Sequence, residues 1–149
     1  MEKSRIRQFS EGEVIIKEDE VHSEMFKVLQ GHAICYFHYG KDDEYIIGAI
    51  GENQCFGEFG LLTGSPELYT VIAHDDVAVL AIDKDEFDNF LIFNHINARD
   101  IMKNLARTCS VMKTNINLLT EELNNVCERD KNLISQIQGK LKHYNMDFS

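Results

Sequence analysis

At 149 residues, with 44% hydrophobic residues and one proline, the chain is long enough to bury a core as one domain with one added element. It has no run of 18 apolar residues and no hydrophobic signal segment near its start, which argues against a transmembrane helix and predicts a cytoplasmic protein. The net charge of −10 comes from residues 1–94, whose balance is −12, whereas residues 95–149 carry +2. Such an acidic body repels phosphate backbones, so nucleic acid is an unfavourable partner.

Residue types that carry catalytic chemistry are present but are not clustered. The four cysteines, Cys35, Cys55, Cys109 and Cys127, contain no C-x-x-C pair, and the six histidines show no H-x-H or H-E-x-x-H spacing. We therefore expect reduced thiols, no metal site and no cofactor. No nucleophile–base arrangement and no phosphate loop of the G-x-x-x-x-G-K type can be recognised, so an enzyme is the least favoured class.

Up to about residue 82 the pattern predicts short strands separated by glycine and polar turns. The expected strands are 12–16, 25–29, 33–37 and 45–50, with a hairpin loop at 39–43. A final pair, 71–73 and 77–82, is expected to meet across the turn His74-Asp75-Asp76. Closely spaced short strands of this kind are typical of a small antiparallel β-roll or jelly-roll.

The periodicity becomes helical after Asp83, which forms a plausible capping box with Glu86. A short amphipathic helix is then predicted by Phe87, Phe90, Leu91 and Phe93. A second helix, capped by Asn97 and Asp100, is expected to run unbroken to about His143. The sequence thus predicts a mainly β domain at 1–94 and a long C-terminal helix at 95–149.

An apolar stripe along the long helix predicts a coiled-coil seam. Its apolar and cysteine members are Cys109, Met112, Ile116, Leu119, Leu123, Val126, Leu133 and Ile137. Asp130 interrupts the stripe, and past Leu123 a second stripe through Cys127, Ile134, Ile137 and Leu141 fits equally well, which suggests a stutter. The alternative is packing against the roll of the same chain, which can account for the stripe near Ile101 and Leu105. We predict a parallel homodimer through this helix.

One segment carries the strongest motif of the chain. It reads Phe56-Gly57-Glu58-Phe59-Gly60-Leu61-Leu62 and continues, after a short turn, as Pro66-Glu67-Leu68-Tyr69-Thr70-Val71-Ile72-Ala73. It resembles the phosphate-binding cassette of cyclic-nucleotide-binding domains, as in the catabolite activator (Crp/Fnr-like) family and in regulatory subunits of cyclic-nucleotide-dependent kinases. That cassette typically reads F-G-E-[LI]-[AG]-L-L and then P-R-x-A-T-V-x-A. The resemblance implies a cyclic-nucleotide-binding β-roll over about residues 9–123, with the family's leading helix missing.

The resemblance also implies a ligand-binding site, but the charge at its key position is reversed. The family's arginine, which pairs with the cyclic phosphate, corresponds to Glu67, and a small residue corresponds to Tyr69. Glu58 matches the glutamate that bonds the ribose. From Gly51 to Asp83 there are six carboxylates and no lysine or arginine. The candidate ligand-binding residues are Gly57, Glu58, Phe59, Gly60, Leu61, Leu62, Glu67, Leu68, Tyr69 and Thr70.

Several interpretations of the altered cassette remain open. Glu67 could point to solvent beside a pocket that has lost its ligand, or the pocket could accept a different small molecule. Ordinary cyclic-nucleotide binding would need a cation from elsewhere, for example Arg107 or Lys113 on the long helix. Tyr69 could line a new pocket or simply be a buried strand tyrosine with a satisfied hydroxyl.

Three functions follow from these observations. The first is a non-enzymatic, dimeric small-ligand sensor that does not bind cyclic AMP or cyclic GMP tightly. The second is a structural or interaction protein with a closed pocket and a coiled-coil partner surface. The third is a transcription regulator of the Crp/Fnr type reduced to its sensor half, with no DNA bound directly by this chain and no membrane partner. Some family members bind haem through His or Cys, and His74 stands at a strand end, but a lone histidine there is more often solvated.

Overall fold

The computed structural model describes residues 5–127 and 131–144, without the side chains of residues 127, 132, 133, 143 and 144. The chain divides into two compact units, Met1–Thr108 and Cys109–Ser149, which are described separately below. The first unit contains all eight strands of the described residues, and the predicted β-roll followed by helices is confirmed.

The strands of the first unit are short, as the glycine turns between them require. They are β1 (Ile6–Phe9), β2 (Val14–Ile16), β3 (Glu24–Gln30), β4 (Ala33–Phe37), β5 (Tyr45–Ile50), β6 (Cys55–Phe56), β7 (Thr70–Ala73) and β8 (Val77–Asp83). The described residues also contain four helices, namely α1 (Glu58–Thr63), α2 (Lys84–Phe93), α3 (His95–Cys127) and α4 (Lys131–Tyr144). Of these, α4 belongs to the second unit. Strands β1 and β6 were not expected from the sequence.

The strands form two antiparallel four-stranded sheets. The first sheet has the order β1-β8-β3-β6, and the second has the order β2-β7-β4-β5. In the first sheet Phe26 lies opposite both Phe56 and Ala81. The expectation that the last two strands pair with each other is wrong, because β7 pairs with β2 and β4 while β8 pairs with β1 and β3. The turn at 74–76 therefore carries the chain from the second sheet to the first.

The main core lies between the two sheets and is made of the inward-facing residues of both. It contains mainly β-branched and aromatic side chains, which fill a pleated surface well. Phe26, Phe56, Val28, Val71 and Val79 are each fully buried there. Because side chains alternate along a strand, this set fixes the register of each strand in its sheet.

The first sheet buries its other face as well, against helices. Met25, Cys55 and Ile82 point away from the inter-sheet core and pack with Leu61 of α1 and Ile101 of α3. The apolar residues of α2 and α3 that close this second cluster are Phe87, Phe90, Leu91 and Leu105. This packing holds the first part of α3 against the roll, close to the cassette.

The caps of the two helices after the roll differ in part from the expectation. Asp83 caps α2, since its side chain accepts from the amides of Asp85 and Glu86. The predicted cap of α3 at Asn97 is wrong, because Asn94 accepts from the Ile96 amide instead. Asn97 is a buried residue inside α3, where it accepts from Lys27 Nζ at 2.9 Å and donates to the Phe90 carbonyl at 3.0 Å. Phe93 is 88% exposed and does not join the apolar face of α2.

The second unit is a pair of helices, and the expected unbroken helix to His143 is wrong. α3 ends at Cys127 and α4 begins at Lys131. Residues 120, 123 and 124 of α3 line one small cavity together with residues 134, 137, 138 and 141 of α4. On a continuous helix the two ends of this set would lie about 30 Å apart at 1.5 Å per residue, so α4 folds back along α3.

This fold-back divides the predicted dimer seam. Leu123 and Ile137 face the same cavity of the helix pair, so contacts within one chain account for that part of the stripe. Ile116, Leu119 and Val126 are exposed, at 54%, 59% and 77% respectively. Cys109 is exposed and Met112 is half-buried, while the side chain of Leu133 and all of Asp130 lie outside the described residues. The dimer itself stays a prediction.

Candidate ligand-binding site

The cassette begins with a backbone turn that favours glycine. Gly57 follows β6 with φ of 80° and forms the N-cap of α1, without any side-chain hydrogen bond. A Cβ on Gly57 would lie 2.6 Å from Cδ1 of Ile16, so a larger residue would also clash with the core. Because glycine has no side chain, the amides of the first turn of α1 need an acceptor from another part of the chain.

Glu67 supplies that acceptor. The Gly60 amide donates to Oε1 of Glu67 at 3.2 Å, and Glu67 is only 1% exposed. Its backbone is fixed on both sides, since its N–H donates to the Glu20 carbonyl and its carbonyl accepts from the Asp19 amide, each at 2.9 Å. A Cβ on Gly60 would overlap the same oxygen of Glu67 and would have to displace that side chain. The interpretation that Glu67 points to solvent is therefore wrong.

Glu58, the counterpart of the family's ribose-binding glutamate, is also turned inward. It is 1% exposed, and its Oε1 accepts from Nδ2 of Asn104 at 2.7 Å. Asn104 comes from α3, which the second apolar cluster holds against the roll. The acceptor that a ribose hydroxyl would use is thus already bonded within the chain.

Each of these two glutamates leaves one carboxyl oxygen without a partner. Oε2 of Glu58 and Oε2 of Glu67 are buried and make no hydrogen bond. Burial raises the pKa of Glu67 from its ordinary 4.5 to about 7; the Gly60 amide opposes this shift and the nearby Glu58 charge adds to it. Burial likewise raises the pKa of Glu58, against the hydrogen bonds that it accepts. The protonated forms are therefore favoured far more than on a protein surface. We call Glu58 and Glu67 the cassette carboxyl pair.

Tyr69 occupies the position where the family has a small residue. Its ring is 3% exposed and belongs to the inter-sheet core. Burial, followed by the charge of Glu58, raises its pKa well above 10, so the phenol stays protonated. Burial also raises the pKa of the Cys35 and Cys55 thiols to about 12, which makes them unreactive at neutral pH. The side chain of Tyr69 fills space rather than lining a large pocket.

Two small cavities lie next to the cassette. The larger, about 110 Å³, is lined by Ile50, Gln54, Cys55, Asp100, Lys103, Asn104 and Arg107. The smaller, about 20 Å³, shares Ile50, Asn104 and Arg107 with it and also touches Tyr69. Both are well below the roughly 300 Å³ at which small-molecule pockets usually begin. Neither is lined by a member of the cassette carboxyl pair.

The structure brings most of the sequence-predicted ligand residues to one place. Gly57, Glu58, Gly60, Leu61 and Glu67 are buried around the start of α1, and Tyr69 and Thr70 are buried where β7 begins. Phe59 and Leu68 are half-buried, and Leu62 is 50% exposed. Arg107 reaches the rim of the site, as one interpretation required, but no ion pair within the described residues joins a cation to Glu58 or Glu67. Lys113 belongs to the second unit.

Sequence reasoning named Arg107 of α3 but missed three other residues of that helix at this site. Asp100, Lys103 and Asn104 line the larger cavity together with Arg107. They recur at steps of three, one and three residues, so they share one face of the helix. A polar stripe inside an otherwise apolar helix face was the available signal.

Other kinds of site have less support among the described residues. No three His, Cys, Asp or Glu side chains are grouped there so that they could hold a metal ion. His74, the histidine considered for haem, is exposed. No helix in the described ranges is both long enough and apolar enough to cross a bilayer.

Solved structures of known proteins share this architecture. The Thermus thermophilus catabolite activator protein is 22% identical with a TM-score of 0.64, and the match covers 80% of this chain and 57% of that protein. The haem domain of CooA from Carboxydothermus hydrogenoformans is 18% identical with a TM-score of 0.68, over 81% of this chain and 84% of that one. The cyclic-AMP-bound regulatory domain of Toxoplasma gondii PKA is 20% identical with a TM-score of 0.55, over 71% and 38%. These likenesses concern the fold.

The family itself follows from the sequence match. The cyclic nucleotide-binding domain model matches residues 6–92, which is more than half of the chain and includes the whole cassette. With the two-sheet roll, the glycine-capped α1 and the helices that follow, the chain belongs to the cyclic nucleotide-binding domain family.

Proposed function

We propose that this chain is a non-enzymatic regulatory sensor module that keeps the roll of its family but does not bind cyclic AMP or cyclic GMP tightly. One observation carries the proposal: the buried Glu67 carboxyl accepts a hydrogen bond from the Gly60 amide at the start of α1. Amides at the start of a helical turn are the groups that bind anions in such cassettes. Glu67 thus stands where the phosphate of a cyclic nucleotide would be expected.

Charge in the cassette supports the same conclusion. A phosphate needs a fixed cation, preferably a guanidinium that can make two hydrogen bonds. Here the position of the family arginine is occupied by a carboxylate, and the cations Lys103 and Arg107 line a neighbouring cavity rather than pairing with it. A phosphate about 4 Å from an ionised Glu67 would be repelled by roughly 4 kcal/mol at an effective dielectric constant near 20.

Calorimetry tests this proposal directly. We expect wild-type protein to bind cyclic AMP and cyclic GMP with dissociation constants above roughly 100 μM, equivalent to less than about 5.5 kcal/mol. Glu67→Arg removes the internal anion and restores the family's cation, so it should bind cyclic AMP more tightly than wild type. Glu52→Arg makes the same charge change at an exposed turn and should change nothing. Low-micromolar binding by the wild type would refute the proposal.

The proposal includes a parallel homodimer through α3. Ile116, Leu119 and Val126 leave an apolar surface in water, which burial against a second copy would remove. Leu119→Asp should weaken the dimer by several kcal/mol through lost apolar burial and desolvation of a charge. Light scattering over a dilution series measures this. Lys113→Asp, on an exposed residue outside the stripe, is the control for an added carboxylate. A wild-type monomer at tens of micromolar would contradict the dimer.

A second candidate is an interaction protein whose pocket no longer has a sensing role. It is favoured by the filling of the cassette by Tyr69 and the carboxyl pair, which leaves a cavity of about 110 Å³ beside it. The two candidates differ in one respect. A sensor changes conformation in response to a signal at the cassette, whereas an interaction protein keeps one conformation there.

A further inference from the structure

The cassette carboxyl pair is an exception to the usual handling of buried acids. Aspartate and glutamate are almost never fully buried unless they are paired with a cation or fully hydrogen-bonded. Glu58 and Glu67 are each 1% exposed, and each has one oxygen without a partner. Hydrogen bonds from neutral donors alone do not compensate for two buried negative charges.

The groups around the pair do not supply the missing charge. Facing them from the surrounding elements are Glu20, Asp19 and His22 before β3, Cys35 of β4, Tyr69 at β7, and Asn104 with Arg107 on α3. Glu20 and Asp19 contact Glu67 through their backbones, and the His22 carbonyl lies next to Gly60. The charge of Arg107 lowers the pKa of Cys35. The charge that acts on the pKa of Glu67 is that of Glu58, and it raises this pKa further.

A proton satisfies this arrangement better than a metal ion does. A protonated carboxyl is neutral, so its burial costs far less than the burial of a carboxylate that has no cation beside it. A cation would need more ligands than the two carboxyls provide, and no third acidic, cysteine or histidine ligand is grouped with them in the described ranges. The pKa of Glu67, raised to about 7 by burial, puts the change of charge near neutral pH.

We propose that Glu58 and Glu67 form a proton-operated switch, in which the protonated pair keeps Glu67 against the Gly60 amide and loss of protons drives its carboxyl out of the cassette. This inference rests on the proposed function, because it names protons as the signal that the module senses. Release of Glu67 leaves the first turn of α1 without its acceptor, since Gly57 provides none. The segment that joins α1 to β7 then changes conformation. Loss of the proton from Glu58 changes its hydrogen bond with Asn104, and through this bond the switch reaches α3.

The full-length chain allows a direct test by carbon-13 NMR with labelled glutamate carboxyls. Glu67 should titrate with a midpoint near 7, well above the ordinary 4.5. The hydrogen-exchange protection of the Gly60 amide, corrected for the intrinsic pH dependence of exchange, should fall at least tenfold across the same midpoint. Glu67→Gln should remove both effects and keep Gly60 protected at high pH, because the amide oxygen still accepts. Glu52→Gln at an exposed turn is the control and should titrate and exchange like wild type.

Three results would overturn the switch. Glu67 could titrate at its ordinary value, Gly60 protection could stay constant while Glu67 titrates, or Glu67→Gln could keep the wild-type pH response. The first two need no variant, so they hold even if a variant misfolds. Calorimetry with cyclic AMP at both ends of the titration separates this inference from the proposed function. A failed switch with no nucleotide binding leaves the function standing, whereas tight nucleotide binding rejects both.

Discussion

The space between the two sheets and the interior of the cassette are equally buried, but their chemistry is opposite. Between the sheets, apolar side chains such as Phe26 and Val79 are fully buried and have no polar groups that need hydrogen-bond partners. In the cassette, Glu58 and Glu67 are enclosed to the same degree with unpaired oxygens. The first region is explained by stability alone. The second should destabilise the fold when it is ionised, so stability alone does not explain it.

The largest effect that separates the two regions is expected in the inter-sheet core. Phe26→Ala removes a fully buried ring that contacts Phe56 at a centroid distance of 5.5 Å. The loss of transfer energy and the cavity left behind should lower the free energy of unfolding by about 3–5 kcal/mol at any pH between 5 and 8. Urea denaturation measures it. Phe93→Ala, on an 88% exposed ring, is the matched control and should change stability by less than about 0.5 kcal/mol.

The cassette should respond to pH where the core does not. The pKa of Glu67 is raised in the folded state, so folding takes up a proton at pH values between 4.5, the pKa in the unfolded chain, and about 7. This proton uptake stabilises the folded state fully at pH values below 4.5, and the stabilisation is lost as the pH rises through about 7. The loss in the free energy of unfolding is roughly 3 kcal/mol at most. Denaturation of wild type and Glu67→Gln at a series of pH values measures it. The two proteins should converge at low pH, and the variant should be the more stable at pH 8.

A smaller effect is expected at the bond that links the carboxyl pair to α3. Asn104→Ala removes the donor to Oε1 of Glu58 and leaves that carboxyl with less compensation. We expect a loss of about 1–3 kcal/mol at pH 8 and a smaller loss at pH 5, where the carboxyl is more protonated. Denaturation at the two pH values measures the difference. An equal loss at both would show that Asn104 contributes by packing and not through the charge of Glu58.

Much of the roll could be predicted because its signals are local. Alternating residues and glycine turns placed β3, β4 and β5 closely, and the cassette motif placed the site. β1 was missed because Ile6–Phe9 alternates between exposed and half-buried positions and has a weak apolar pattern. The pairing of β7 and β8 was wrong because sheet membership is decided by long-range packing, which a turn sequence does not encode.

The division of the C-terminal helix into α3 and α4 and the inward orientation of Glu67 could not be predicted from the sequence, for related reasons. Nothing in residues 97–138 is a strong helix breaker, yet Leu123, Ile137 and Leu141 line one cavity between two helices. A glutamate is normally expected at the surface. The inward position of Glu67 depends on its hydrogen bond with the Gly60 amide, seven residues away, and on its backbone hydrogen bonds to Glu20 and Asp19. Such three-dimensional partners are invisible to a motif comparison.

A crystal structure of the chain grown with millimolar cyclic AMP, at a pH below the Glu67 pKa of about 7, is the most direct test of the claim that Glu67 occupies the place of the phosphate. The account predicts Oε1 of Glu67 within hydrogen-bond distance of the Gly60 amide, near the 3.2 Å found here, with no nucleotide in the cassette. Density for a cyclic phosphate on the Gly60 amide, with the Glu67 side chain turned out to solvent, would contradict it.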